Sequence, residues 1–235
     1  MHALESSQIT KTYGHLSALQ GVSLDIPKGS FLTLFGRNGA GKTTFLKIAA
    51  TLTRPSGGNI RIHGFNTVED PEKARYNLGF LSHNTYIYRD LTPKQNLLFF
   101  AKLYGITREK TDIDKLLERV GLARRKNEPV RSFSRGLQQR LGLARVILHS
   151  PSLLILDEPY TGLDAQAVEI LNGILDETIS DGRTVLMTTH DFQLGIRAST
   201  NVCIIDRGRI VYSGNPTDYA TREAYDHYIR SGGNP

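Results

Sequence analysis

A glycine-rich segment constrains this chain more than any other feature: Gly36-Arg-Asn-Gly-Ala-Gly-Lys-Thr-Thr44. It follows the apolar run Phe31–Phe35, predicted to be a buried strand, and leads into Lys42–Ala50, predicted to be a helix. The glycines let the backbone curl so that successive N–H groups point at one anion, and the helix N-terminus adds a favourable dipole. The segment therefore predicts a phosphate-binding loop and not an ordinary glycine-rich turn.

The residue types within this loop suit the groups of a nucleotide. Lys42 is predicted to reach the β- and γ-phosphates and to act in catalysis, and the hydroxyl of Thr43 is predicted to bind Mg²⁺. We therefore expect ATP and Mg²⁺ as ligands. The predicted nucleotide contacts from the loop are Gly36, Asn38, Gly39, Ala40, Gly41, Lys42, Thr43 and Thr44.

A second motif ends the apolar run Leu153–Asp157 in two adjacent carboxylates, Asp157 and Glu158. Parallel sheets present ligand-binding groups at the carboxyl ends of their strands, so Asp157 is predicted to hold Mg²⁺, through water. Glu158 points differently and is predicted to be the general base for an attacking water. On its own this motif would suit a pair of solvated acids equally well. Together with the loop upstream, it favours a site that hydrolyses ATP.

The order of predicted elements indicates an α/β fold with a mostly parallel sheet. Strands and helices alternate at both ends of the chain, and the segment 84–150 between them is predicted to be helical only. We expect one domain over residues 1–235, with a core at about 1–83 and 151–235 and an inserted helical subdomain at about 84–150. The tail, 217–235, is predicted to form one or two helices.

Composition and charge exclude several classes of protein. The net charge of +6 suits nucleic acid, anionic lipid or a phosphate ligand without choosing among them. The single cysteine, Cys203, lies in an apolar run and is predicted to be a buried strand residue in a reducing compartment. No signal peptide is apparent, and no apolar run approaches the roughly 20 residues of a spanning helix. We therefore expect any membrane contact to come through a partner or the surface.

Three further strings complete a recognisable series: Ser134-Arg-Gly-Leu-Gln138, Tyr160-Thr-Gly-Leu-Asp164 and Thr188-Thr-His-Asp191. In this order and spacing, and with the two motifs above, the chain resembles the nucleotide-binding subunits of ABC transporters over about residues 9–214. The resemblance implies a P-loop NTPase (RecA-like) fold, with a mostly parallel sheet, an antiparallel β subdomain and an inserted α-helical subdomain. It also implies an ATPase coupled to transmembrane transport.

In that family two subunits face each other head to tail and hold ATP between the loop of one and the signature string of the other. The resemblance therefore implies that Ser134 and Gly136 contact the ATP bound to a partner subunit. It implies that His190 senses the γ-phosphate and orients the attacking water, so that His190 joins Glu158 and Lys42 as a catalytic residue. Asp164 is implied to lie at the dimer interface.

The resemblance also identifies an adenine pocket, and the chain departs from the family pattern elsewhere. Tyr13 is implied to stack on adenine, with Ala18 on the same pocket wall. In the signature string Arg135 replaces a glycine, and we expect its side chain to point to solvent. His83, followed by Asn84, stands where the family has a metal-contacting glutamine, and one of these two side chains is predicted to hydrogen-bond a water bound to Mg²⁺.

Short strings also indicate a branch of the family. The string from Phe133 to Arg140 and the string Asp-Glu-Pro-Tyr160-Thr-Gly-Leu-Asp164 are similar to the ATP-binding subunit of the haem exporter of cytochrome c maturation, and to related ABC-2 type exporters. The resemblance implies a motor subunit with two partners, a transmembrane permease docked near residues 83–98 and a second ATPase subunit, which we expect to be a second copy. It implies a cytoplasmic protein, peripheral on the inner face of the cell membrane.

Two other functions use the same kind of ATPase. A DNA-repair or chromosome ATPase would suit basic residues such as Arg124, Arg125 and Lys126, but the chain has neither the heptads nor the cysteine cluster of that class, and we expect no nucleic-acid partner. An iron–sulfur assembly ATPase would work without a permease. The sequence identifies neither the cargo nor the direction of transport.

Overall fold

Ten strands form two sheets of different kinds in the computed structural model, which describes residues 1–107 and 112–230. Strands of the larger sheet carry the catalytic motifs, and the smaller sheet lies beside them. The strands are β1 (His2–Tyr13), β2 (Leu16–Pro27), β3 (Phe31–Phe35), β4 (Gly57–Ile62), β5 (Phe65–Asn66), β6 (Leu78–Leu81), β7 (Leu153–Asp157), β8 (Thr184–Thr188), β9 (Asn201–Asp206) and β10 (Arg209–Gly214).

Helices cover the larger sheet, and polar side chains cap several of them. Thr92 begins one with a reciprocal capping box to Gln95, and Asp112, Ser134, Asp164 and Asp191 each accept a hydrogen bond from a first-turn amide. The helices are α1 (Lys42–Ala49), α2 (Pro71–Tyr76), α3 (Pro93–Leu103), α4 (Ile113–Arg119), α5 (Arg135–Ile147), α6 (Ala165–Ser180), α7 (Phe192–Ile196) and α8 (Tyr219–Tyr225).

The larger sheet has six strands in the order β10-β9-β3-β8-β7-β6. Its pairs are parallel except for the β9–β10 hairpin, which is antiparallel. Every residue of β3, β7 and β8 is buried, which explains why their sequences are mostly apolar and do not alternate with polar residues. Because β8 lies between β3 and β7, the carboxyl ends of these three strands meet at one edge of the sheet, and the predicted motifs follow those ends.

The smaller sheet is antiparallel, in the order β2-β1-β4-β5. The sequence from Thr10 to Ile26 predicts a strand, a turn and a second strand, but the first strand already begins at His2. Strand β1 turns into β2 at Gly14 and His15. Packing between this sheet, α1 and the larger sheet forms one apolar core. That core includes Leu19, Ile26, Phe45, Ile48 and Leu186.

The described elements between β6 and β7 are helical, as predicted. The sequence predicts helices over 92–104, 112–120 and 134–148, and α3, α4 and α5 begin and end within one residue of these bounds. They share a second core with the opposite face of the larger sheet, which includes Leu97, Leu117, Leu141 and Leu156. The structure thus confirms the predicted fold class, a mostly parallel sheet with an antiparallel sheet and a helical segment.

The tail continues past the β9–β10 hairpin into α8 and one turn of π-helix, Asp226–Arg230. This part of the predicted tail is helical, and residues 231–235 lie outside the described residues. Tyr225 packs with Phe35, Phe192 and Ile204 in a third, smaller core. None of the helices in the described ranges is long and apolar enough to cross a lipid bilayer.

Candidate active site

A cleft of about 330 Å³ lies where β3 gives way to the glycine-rich loop. It is bounded on one side by the loop and on the other by the start of β2. We call it the nucleotide cleft. Its lining residues are Tyr13, Leu16, Ser17, Ala18, Arg37, Asn38, Gly39, Gly41, Lys42, Thr43, Thr44 and Glu158.

Two glycines of the loop adopt backbone conformations that favour glycine. Gly39 has a φ of 83° and Gly41 a φ of 109°, so both lie in the left-handed region. A β-carbon on Gly41 would also lie 2.7 Å from the carbonyl oxygen of Ala18. Gly36 and Ala40, two predicted nucleotide contacts, do not line the cleft. A β-carbon on Gly36 would lie 2.6 Å from the carbonyl oxygen of Ile205, so this glycine lets the loop approach β9.

The ammonium group of Lys42 lies inside the curled loop. The residue is 6% exposed, and Nζ donates hydrogen bonds to the carbonyl oxygens of Gly36 at 2.5 Å and Arg37 at 3.3 Å. Nζ also lies 3.6 Å from Oε1 of Glu158. A buried cation needs such partners. The loop therefore holds a positive charge beside its own backbone amides, where the phosphates of a nucleotide would bind.

Asp157 is the centre of a second cluster at the same edge. The residue is 5% exposed, and its Oδ1 accepts hydrogen bonds from the hydroxyls of Thr43 at 3.1 Å and Thr188 at 2.9 Å. Hydroxyl and carboxylate oxygens are ligands that Mg²⁺ prefers, and Mg²⁺ commonly binds through one or two carboxylates together with substrate phosphates. The side chains of Thr43 and Asp157 therefore fit the metal predicted from the sequence.

Glu158 lies next to this cluster in a strained backbone conformation. Its φ is 50°, in the left-handed region that non-glycine residues rarely adopt. The backbone is held there because its N–H donates to both the carbonyl oxygen and the hydroxyl of Thr188, at 3.1 and 3.0 Å. Strain of this kind, fixed by neighbouring hydrogen bonds, clusters at functional sites. It turns the carboxylate of Glu158 away from that of Asp157 and toward the cleft.

His190 reaches the same carboxylate from the end of β8. Oε2 of Glu158 accepts from the backbone N–H of His190 at 3.2 Å and lies 2.8 Å from ring atom Nδ1. For Nδ1 to donate to the carboxylate it must carry the proton, and Nε2 is then the acceptor of a neutral ring. The structure thus brings together the three predicted catalytic residues, Lys42, Glu158 and His190.

The predicted signature contacts lie elsewhere. Ser134 lines a surface groove of about 700 Å³, the signature groove, which shares no lining residue with the nucleotide cleft. The hydroxyl of Ser134 accepts from the amide of Leu137 at 3.4 Å, and Gly136 lies in the first turn of α5. The groove is lined by Gly121, Ala123, Arg124, Arg125, Ser134, Leu137, Arg140, Asp164 and Gln166.

Arg135 does not simply point to solvent, as the sequence led us to expect. Its Nη2 lies 2.7 Å from Nδ1 and 2.6 Å from Nε2 of His83. Two residues that depart from the family pattern therefore contact each other, across the boundary between β6 and α5. Among the described residues, the hydrogen bonds of His83 reach Arg135 and neither Thr43 nor Asp157, so the structure does not bring His83 to the predicted metal ligands.

Sequence reasoning missed four residues of the site. Leu16, Ser17 and Arg37 line the nucleotide cleft, and Thr188 bridges Asp157 and Glu158. Arg37 stands within the loop motif and Thr188 within the string that contains His190, so both carried a signal. Leu16 and Ser17 carried none, because they reach the cleft only through the turn between β1 and β2.

Burial shifts two nearby groups without making them reactive. The pKa of Tyr160, two residues after Glu158, is raised to about 12, chiefly by burial, and its hydroxyl donates to Asn172 at 2.8 Å. Burial also raises the pKa of the Cys203 thiol. Both groups therefore keep their protons near neutral pH. They serve the packing around the site, as the sequence predicted for Cys203.

The comparisons with known proteins agree with this geometry. A family profile described as ABC transporter matches residues 19–161. The ABC transporter ATP-binding protein NatA of Bacillus subtilis (strain 168) is 35% identical over 202 residues, which cover 85% of this chain and 82% of that protein. The Nod factor export ATP-binding protein I of Cupriavidus pinatubonensis is 35% identical over 217 residues, covering 92% of this chain and 67% of that protein.

A solved structure extends the likeness to the whole fold. It is a dimeric ATP-binding cassette in a post-hydrolysis state, bound to ADP and Pi. It is 26% identical, has a TM-score of 0.82, and covers 92% of this chain and 100% of its own. The family profile spans more than half of the present sequence. The chain therefore belongs to the ABC transporter family and carries its ATP-binding, ATP-hydrolysing domain.

Proposed function

We propose that this chain is the motor subunit of an ABC-type exporter, which hydrolyses ATP as a dimer and drives a separate transmembrane permease. One observation carries the proposal. The carboxylate of Glu158 lies between the ammonium of Lys42, at 3.6 Å, and the imidazole of His190, at 2.8 Å, at the mouth of the nucleotide cleft. A base, a phosphate-binding cation and an orienting imidazole are the groups that hydrolysis of a γ-phosphate requires.

The cleft suits one nucleotide. Its phosphates bind the curled loop, where Lys42 exchanges the carbonyls that it contacts now for β- and γ-phosphate oxygens. The adenine stacks on the ring of Tyr13 beside Ala18, and the ammonium of Lys11 lies 5.0 Å from the centre of that ring. Mg²⁺, held by Thr43 and by Asp157 through water, would neutralise phosphate charge. His83 remains a candidate water-mediated contact, once Arg135 releases it.

Hydrolysis follows from the positions of the side chains. Glu158 accepts a proton from a water molecule as the water oxygen attacks the γ-phosphorus, and the bond to the β-γ bridging oxygen breaks to leave ADP and Pi. Lys42 stabilises the charge on the transferred group. His190, with Nδ1 hydrogen-bonded to Glu158, presents Nε2 as the group that orients the water and senses the γ-phosphate.

The second half of the site comes from another subunit. Ser134 and the amides at the start of α5 line the signature groove, away from the cleft of their own chain, so a head-to-tail dimer would place them on the γ-phosphate of the partner. Arg124 and Arg125 of the same groove add positive charge. Asp164 caps α6 by accepting from the amide of Ala167 at 2.8 Å, and it lies in this groove, where it would form part of the dimer interface.

The exporter class rests on relatives. One of them is a Nod factor export protein, and another is the bacitracin transport ATP-binding protein BcrA of Enterococcus faecalis. We therefore propose an ABC-2 type exporter, with the subunit on the cytoplasmic face of the membrane and the permease docked near residues 83–98, at the start of the helical subdomain proposed at about 84–150. Haem export of the cytochrome c maturation type stays a prediction from short strings, without support from these relatives.

Purification from membranes in detergent tests the proposal. An affinity-tagged chain is expected to retain a transmembrane protein, and that complex is expected to hydrolyse ATP with Mg²⁺ present. Lys42→Ala is the control, because it removes the cation of the loop while leaving the docking surface intact. A chain that recovers no membrane protein, but binds DNA tightly or assembles iron–sulfur clusters, would overturn the transport assignment.

A further inference from the structure

Helix α8, near the end of the described residues, contacts the loop that carries His190. The phenol of Tyr225, in α8, donates a hydrogen bond to the backbone carbonyl of His190, with an oxygen–oxygen distance of 2.7 Å. Tyr225 is 5% exposed, and its ring lies against those of Phe35 and Phe192 at 5.3 and 4.6 Å between centroids. Burial, the largest cause, raises the pKa of Tyr225, so the phenol keeps the proton that it donates.

His190 is therefore held on two sides. Its N–H and its ring donate to Glu158 on one side, and its carbonyl accepts from Tyr225 on the other. The side chain is 68% exposed, so packing does little to fix the ring. The position of the imidazole therefore depends on the backbone of His190 and on the hydrogen bond from Nδ1 to Glu158. A hydrogen bond on the carbonyl of His190 restricts the rotation of that peptide, and with it the approach of Nδ1 to the carboxylate.

Helix α8 is attached to the core independently of His190. The phenol of Tyr212, in β10, lies 2.8 Å from the hydroxyl of Thr221, which also donates to the carbonyl of Asn215. The guanidinium of Arg222 lies 4.8 Å from the centre of the Phe192 ring. Because these contacts hold α8 against the sheet, the position of Tyr225 does not depend on its hydrogen bond to His190.

We propose that Tyr225 is a positioning residue for ATP hydrolysis, which aligns His190 with Glu158 through the backbone carbonyl of His190. The proposal rests on the roles of Glu158 and His190 proposed above. It gives a function to the carboxyl-terminal helix, for which the sequence offered none. Tyr225 does not line the nucleotide cleft, so its loss is expected to slow turnover without changing the binding of ATP.

Tyr225→Phe in the full chain removes only the hydroxyl that donates to His190, because the ring and its aromatic contacts remain. We expect kcat about three- to tenfold lower and an unchanged KM for ATP, the effect of one lost hydrogen bond. Tyr212→Phe is the matched control. It removes a second tyrosine hydroxyl, which holds the same helix and does not contact His190. Its kcat is expected to equal that of the unmodified chain. Thermal melting should show a similar loss of stability in both variants.

Hydrogen exchange gives a readout that does not depend on activity. The amide of His190 is expected to exchange faster in Tyr225→Phe than in Tyr212→Phe, since its hydrogen bond to Glu158 is less well held. His190→Ala separates the two proposals. If it loses turnover while the two tyrosine variants match in kcat and in exchange, the role of Tyr225 is overturned and the site assignment stands. If His190→Ala keeps full turnover, the role of His190 fails, and that of Tyr225 fails with it.

Discussion

The nucleotide cleft and the signature groove differ in how their polar groups are occupied. In the cleft, the buried side chains of Lys42 and Asp157 have hydrogen-bond partners within the chain, and Glu158 and His190 contact each other directly. In the groove, the hydroxyl of Ser134 accepts from the amide of Leu137 in its own helix, and Nη2 of Arg140 lies 3.9 Å from Oδ2 of Asp164. The polar groups of the cleft therefore have partners within one chain, whereas those of the groove fit the proposal that a second subunit completes the site.

This difference separates chemistry from assembly. The groups proposed to cleave the phosphate bond lie at strand ends, fixed by the sheet, whereas the groups proposed to contact a partner's nucleotide lie at the start of one helix in the helical segment. A subunit can thus keep its catalytic geometry unchanged while the distance to its partner varies. Substitutions in the cleft should therefore slow hydrolysis within one subunit, whereas substitutions in the groove should act only on the dimer.

Glu158→Gln should give the largest effect. It removes the base while keeping the size of the side chain, so we expect kcat to fall about 100-fold or more, with ATP binding retained. Radiolabelled ATP hydrolysis and equilibrium binding measure the two quantities. Glu169→Gln, on the exposed face of α6, is the matched control and should behave like the unmodified chain. If Glu158→Gln keeps most of the ATPase rate, Glu158 is not the general base.

Ser134→Ala should come next and should act only on the dimer. We expect turnover to fall about tenfold through the lost contact with the partner's γ-phosphate, while ATP binding to one subunit stays unchanged. The variant also loses the N-cap of α5, which costs about 1 kcal/mol of stability. Thr92→Ala removes the cap of α3 at a similar cost and should keep turnover. Equal turnover in these two variants would contradict the contrast between groove and cleft.

Loss of the contact between His83 and Arg135 should have a smaller effect than the loss of Ser134. A double-mutant cycle with His83→Gln and Arg135→Ala is expected to give a coupling free energy of unfolding below about 1 kcal/mol, because both side chains are exposed. If the contact restrains His83 in the absence of nucleotide, Arg135→Ala should raise the affinity for Mg²⁺-ATP when His83 is present and not when it is Gln. Equal affinities in both backgrounds would leave the contact without a role at the metal.

Acid should lower the free energy of unfolding through His149, which links the helical segment to the core. This is the smallest of the four expected effects. His149 stacks on Tyr104 at 4.1 Å between ring centres and donates from Nε2 to the carbonyl of Leu78 at 3.1 Å. Burial, helped by the charge of Arg145, lowers the pKa of His149 below its usual value. The unfolded chain therefore takes up the proton first, so stability is full above about pH 6.5 and falls as the pH drops below it.

Thermal melting at neutral and mildly acidic pH measures this loss, and His149→Gln should flatten it. Burial also lowers the pKa of His63, so that residue adds a loss of the same sign and the variant keeps part of the pH dependence. A variant that melts with the same pH dependence as the unmodified chain would show that His149 is protonated equally in both states. The catalytic rate, normalised to folded protein, should not change in this variant.

Most of the cleft could be predicted from the sequence because its residues are local to strand ends. Asp157 ends β7 and Glu158 follows it, while Lys42 and Thr43 come after β3 and the glycine-rich loop. The order of parallel strands brings such ends together. The fold class followed from the same alternation of strands and helices. The helical segment was predictable because capping residues mark the starts of its helices.

The contacts that escaped prediction join residues far apart in sequence. His83 and Arg135 are separated by 52 positions, and Tyr225 lies 35 positions after His190. No spacing rule links such pairs, because only the packing of α5 and α8 against the sheet brings them together. The length of β1 was underestimated for a related reason. Its residues His2–Ile9 are held by pairing with β2 and β4, and their own pattern is irregular.

The position of β8 between β3 and β7 has a consequence for how such proteins diversify. Parallel pairing fixes the spacing of these strands at roughly 4.8 Å, so the loop, the acids and the imidazole keep their separations whatever the chain does between them. Connections that leave the sheet, above all the one from β6 to β7, can then lengthen or change shape without altering the reaction. Related proteins can therefore keep one ATPase site and adapt to different membrane partners by changing the connections between strands and not the strand order.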